Sequence, residues 1–259
     1  MKHPASHKAT ARRAASKMRL AKRGSAALLV LLALGLGLLL FPRPLFGYAM
    51  EHGNYRVRSD RPIDPAMASV LDDATRRLRT SELHDPRVTF DIFICNEPWR
   101  MWLYSQQFNA SIGGVADNWL TRNIYLREAD VAANRLIPPH GRLADADVRP
   151  LSYFIAHEAT HIMQSRTFGR LMKFRSPAWL IEGHADFVAK AGSFDFEENR
   201  RLLREGDPRL DHARSGLYRG YHLMVAMLIE KERYTIRRLF ADPRPKADVV
   251  RALLHSEGN

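Results

Sequence analysis

Residues 154–164 read FIAHEATHIMQ and set His157 and His161 four apart around Glu158. At 3.6 residues per turn, side chains four apart differ by about 40° around a helix axis, so the two imidazoles project from one face and can share an ion. Glu158 lies about 100° from His157, within reach of a water at that ion without taking a ligand position. This is the arrangement in which a carboxylate takes a proton from zinc-activated water. The same spacing also suits the wet face of an amphipathic helix. Against that, Phe154, Ile155, Ala156, Ala159, Ile162 and Met163 make this stretch apolar on nearly every side. Such a helix belongs in the interior, where two imidazoles and a carboxylate need partners.

A third ligand is available in PAWLIEGHADF, where Glu182 follows His161 by twenty-one residues, at the start of an expected antiparallel neighbour. A His-His-Glu set leaves one tetrahedral position open for water, the catalytic kind of zinc site. Gly183 is expected where the two ligand-bearing helices approach closely, because a glycine inside a helix otherwise costs about 1 kcal/mol. Asp186, one turn beyond Glu182, is placed to accept the free N–H of a ligand histidine. Peptide cleavage also needs a donor for the developing oxyanion, and GLYRGYHLM offers Tyr218, Tyr221 and His222. Ordinary packing explains each of these tyrosines equally well. His184 is expected at the surface or just behind the ligands.

The elements that must position these groups form two halves. YRVRSD and VTFDIFIC read as strands, and Met67, Val70, Leu71, Ala74 and Leu78 recur at helical spacing between them. A short helix is expected over residues 98–108, with Trp99, Trp102 and Leu103 on one core-facing side. The Gly-Gly of SIGGVADNWLTRNIYLRE marks a turn, and the alternation after it predicts a hairpin or an edge strand through NWLTRNIYL. From Pro150 onward only helices are expected. The first runs to about Thr167 with Gly169 as its stop, and the second opens at Ser176 as N-cap and ends at Gly192. A third covers residues 215–231, and two shorter ones follow. This order of elements is α+β.

Charge and hydropathy add a third region. The chain of 259 residues has a formal charge of +12, but eight of its forty Lys and Arg residues precede Gly24, where no acid occurs. That leaves thirty-two basic against twenty-eight acidic residues in the remainder, so the basicity belongs mainly to the tail. Residues 24–41, GSAALLVLLALGLGLLLF, carry no charge and have the length of a membrane-crossing helix. FPRPLFGYAM offers no clean small-x-small cleavage site, which favours an uncleaved signal anchor over a removed signal peptide. The positive-inside rule then keeps the tail cytoplasmic. The tail lacks the aromatic interleaving of nucleic-acid binders. Cys95, the lone cysteine, cannot form an internal disulfide and reads as a buried strand residue.

HEATH followed by WLIEGHAD resembles the gluzincin metallopeptidases, the thermolysin-like group, and especially its compact single-domain members. Carried over position by position, the resemblance implies His157, His161 and Glu182 as ligands of one zinc ion, with Glu158 as general base. It implies Asp186 as the partner of a ligand histidine, favours Tyr218 over Tyr221 as oxyanion donor, and implies a peptide lying along the edge strand. The metzincin pattern does not fit, since Gln164 and Thr167 stand where a glycine and a third histidine are needed. The expected organisation is a basic cytoplasmic tail (1–23), a transmembrane anchor (24–41), a linker (42–47) and an extracytoplasmic zinc metallopeptidase domain (48–259), periplasmic in a bacterium. The expected partners are a peptide or protein substrate and the membrane, with no nucleic acid. The alternative is a non-catalytic zinc-containing binding module that presents its groove to a protein.

Overall fold

The computed structural model describes residues 25, 28–105, 108–139 and 149–255, and the chain divides into two units, residues 1–45 and 46–259. In the first unit residues 28–40 form helix α1, followed by a 3-10 turn at Arg43–Leu45. The basic tail lies outside the described residues, as do positions 24, 26 and 27 of the expected membrane span. Among the described residues no helix is long and apolar enough to cross a membrane.

The second unit is mixed α+β, a small sheet followed by a helical half. Five strands lie in the order β1-β2-β3-β5-β4: Tyr48–His52, Tyr55–Ser59, Phe90–Cys95, Ile124–Arg127 and, at the edge, Gly114–Ala116. β2, β3 and β5 run parallel, while β1 and β4 pair antiparallel at the two edges. The apolar run of β3 is explained by its central place, with neighbours on both sides. A two-stranded ribbon, β6 (Ala129–Asp130) with β7 (Arg135–Leu136), follows. Helix α2 (Met67–Leu78) buries Met67, Val70, Leu71, Ala74 and Leu78, the stripe its period predicts.

One expectation in this half is overturned and another is met in part. Helix α3 spans Pro98–Tyr104 and buries Met101 and Tyr104, whereas Trp99 and Trp102 are turned outward. The expected hairpin is present as the antiparallel pair β4 and β5, but the strand through NWLTRNIYL is divided, because Asp117 accepts the backbone N–H groups of Trp119, Leu120 and Thr121 and folds that stretch into a turn. The edge strand is the GVA before the turn, and Ile124–Arg127 is interior.

The helical half is built around α4 (Leu151–Phe168), which ends at Gly169 with φ of 89°. Every residue from Leu151 through Ser165 is buried, since α2, α6, β4 and β5 all pack against it. A short helix α5 (Met172–Arg175) leads into α6 (Ala178–Lys190), whose N-cap is Pro177 rather than Ser176. Then come α7 (Phe196–Arg204), capped by Asp195 and not anticipated from sequence, and α8 (His212–Ser215). Gly216, at φ of 70°, turns the chain into α9 (Arg219–Ala226), which continues as a π turn over Met227–Lys231. The third expected helix therefore starts four residues late, leaving Tyr218 at its N-cap. Helices α10 (Ile236–Ala241) and α11 (Lys246–His255) complete the unit.

Candidate metal centre

Helices α4 and α6 run antiparallel, as the pairings Tyr153 with Asp186 and Gln164 with Ile181 require. Between them His157, His161 and Glu182 converge. The Nε2 atoms of the two histidines are 3.3 Å apart, and Glu182 Oε2 lies 3.3 Å from His157 Nε2 and 3.4 Å from His161 Nε2. A regular tetrahedron with edges of that length has its centre about 2.0 Å from every corner, the length of a zinc–nitrogen or zinc–carboxylate bond. The Oε2 atom is buried and accepts no hydrogen bond. Two imidazole nitrogens and a carboxylate oxygen facing one point can share a cation there, so the donor set fits a metal ion.

The electrostatics agree. Burial alone would raise the Glu182 carboxyl, but His161 and His157 outweigh it and hold the group well below the carboxylate range. Burial alone would lower His161, yet Glu182 beside it pushes the ring up to about 9. Both directions describe a locus that attracts positive charge.

Glu158 is buried next to this triangle. Burial raises its carboxyl above the ordinary value, against the pull of His157 and His161, and the backbone N–H of Ala116 on the edge strand donates to it. The strand comes so near that a Cβ on Gly114 would sit 3.1 Å from Glu158 Oε1 and 2.8 Å from the Leu126 side chain. A side chain at this position would force Leu126 and Glu158 to shift.

Tyr218 lies over the ligands. Its ring stacks on His157 with centroids 5.5 Å apart. Burial, followed by the charges of Glu182 and Glu158, raises the phenol far above its usual value, so it remains an O–H donor. His212, which sequence reading did not single out, stacks on the other side of Tyr218 at 4.8 Å. All of these residues line one cleft of about 760 Å³, walled by Gly113–Ala116 and bordered by the cations Arg149 and Lys173.

Three assignments change. Tyr221 is absent from the cleft lining, and its carbonyl instead explains Gly183: a Cβ there would lie 2.5 Å from that oxygen. The close approach is thus between α6 and α9, not between the two ligand helices. Asp186 does not reach a ligand ring. It accepts from the Tyr153 hydroxyl, from His222 Nδ1 at 2.9 Å and from Lys190 Nζ at 3.0 Å. His222 is therefore committed to Asp186 and does not line the cleft.

The residue behind a ligand histidine is Gln164, three positions after His161 on the same face. His161 Nδ1 donates to Gln164 Oε1 at 3.0 Å, which turns Nε2 toward the triangle. The Gln164 amide N–H groups go to the Ile181 carbonyl at 2.9 Å and to His184 Nδ1 at 3.0 Å, and His184 Nε2 faces Ser81 Oγ at 3.4 Å. His184 is buried, not at the surface, and burial, with the charge of His161, lowers it to about 3.

No protein-family model matches the sequence, and no curated protein does.

Proposed function

We propose that residues 46–259 form a zinc-dependent peptidase of the gluzincin kind, held at a membrane by residues 24–41 with the domain on the extracytoplasmic side. The observation that carries this reading is the triangle of potential ligand atoms on His157, His161 and Glu182, with the buried Glu158 at its side. An ion held there supplies Lewis acidity toward water and a substrate carbonyl. Glu158 takes a proton from the attacking water and returns it to the departing amine nitrogen as the C–N bond breaks, a double task that its raised carboxyl suits. The Tyr218 hydroxyl donates to the carbonyl oxygen as charge develops on it. The open edge of β4 offers main-chain groups to an extended peptide.

The test is a peptide library offered to the purified full chain with and without a chelator, beside Glu158→Gln. The variant should retain bound zinc while turnover drops about 10²–10⁴-fold. Undiminished turnover in Glu158→Gln removes the assigned base. Silence of the zinc-loaded wild type toward the whole library favours the binding module instead.

A further inference from the structure

Helix α3 carries an aromatic face that the domain leaves uncovered. Trp99 is 49% exposed, Trp102 is 48% and Phe108, just past the helix, is 61%. The rings of Trp102 and Phe108 lie 4.8 Å apart. Exposed apolar side chains gathered in this way mark an interaction surface, whereas scattered ones do not. The face is held firmly: the Arg100 guanidinium sits 4.5 Å over Trp99, pairs with Asp60 at 2.8 Å, and lies 5.8 Å from the ring of Phe46. Phe46 is buried and packs on Phe93 at 5.0 Å and on Tyr104 of α3 at 6.0 Å.

Through Arg100 the Trp99 end of the face is thus tied to Phe46, the residue at which the chain enters the domain. Residues 42–45 alone separate Phe46 from the apolar segment, a stretch that spans less than about 20 Å even when extended. A bilayer that holds residues 24–41 therefore lies within that reach of Phe46. Indole rings, apolar with one polar edge, favour the headgroup boundary of such a bilayer. We infer that Trp99, Trp102 and Phe108 enter the headgroup region of the membrane that holds the N-terminal segment, so that lipid is the partner of α3. This rests on the membrane anchoring proposed above. Ser105, immediately after α3, lines the catalytic cleft, so the docked domain would present one end of that cleft to polypeptides close to the membrane surface.

The full chain is reconstituted into phosphatidylcholine–phosphatidylglycerol vesicles with and without bromine near the headgroup end of the acyl chains, and tryptophan emission is compared. Wild type should be quenched by the brominated lipid. Trp99→Phe/Trp102→Phe should lose most of that quenching, and Trp119→Phe should keep it. Emission unaffected by bromine in a chain that still floats with the vesicles overturns the docking of α3 and spares the anchor. Quenching that survives Trp99→Phe/Trp102→Phe also overturns it. A chain that does not float with the vesicles removes both.

Discussion

Glu182 and Asp186 stand one turn apart on α6, each facing histidines, yet they are opposites in how their charge is met. Asp186 is saturated by the protein itself, through Tyr153, His222 and Lys190. Burial would raise its carboxyl, but these partners hold it far below the ordinary range. Glu182 presents an Oε2 atom without a hydrogen bond to two ring nitrogens. A carboxylate that the fold neutralises from within holds helices together, whereas one aimed at two ring nitrogens is placed to share a cation from outside.

Exchanging the two acids for their amides gives the largest effects and the most direct way to break this contrast. Glu182→Gln should weaken zinc binding more than about 100-fold, since even groups behind a ligand are worth 10–100-fold. Asp186→Asn should keep its zinc but lose about 3–5 kcal/mol in urea unfolding, because Lys190 is left buried beside a neutral amide. Equal loss of zinc in both variants, read by competition with a chromogenic chelator, would erase the distinction.

A smaller effect sharpens it along the pH axis. His184 falls from 6.5 to about 3 on folding, so the unfolded chain binds a proton there before the native protein does. Its contribution is complete above pH 6.5 and disappears as pH falls toward about 3, with a limiting slope near 1.4 kcal/mol per pH unit. In chelated protein, His184→Asn should flatten that acid limb in thermal melts; an unchanged limb assigns the pH dependence to other groups. The smallest change is expected of Gln164→Ala, a loss of about 10–100-fold in zinc affinity through His161 alone, measured by the same competition.

The His157, His161 and Glu182 cluster was legible because helical geometry alone puts His157 beside His161, and because antiparallel packing brings Glu182 back to them. The neighbours of the ligands were not legible. Asp186 has the right spacing from Glu182, but which ring it meets depends on α9, whose His222 takes the position. On α3, Trp99 with Trp102 and Met101 with Tyr104 are both three apart, and a helix of seven residues gives periodicity no means of choosing which pair faces inward. In NWLTRNIYL the alternation of apolar residues outweighed a turn signal already present in Asp117, whose carboxylate gathers three backbone N–H groups. The α+β order survived these errors because it rests on the long elements, β3, α4 and α6.

Gln164 has one more consequence. The Ile181 carbonyl can only accept, so the amide of Gln164 has a single orientation, and that orientation dictates proton positions at both ends. His161 must carry its hydrogen on Nδ1, and His184 must carry its own on Nε2, facing Ser81. The imidazole of His184 is consequently a built-in reporter: its nitrogen resonances would register the filling or emptying of the centre from the far side of α6, without touching the ion.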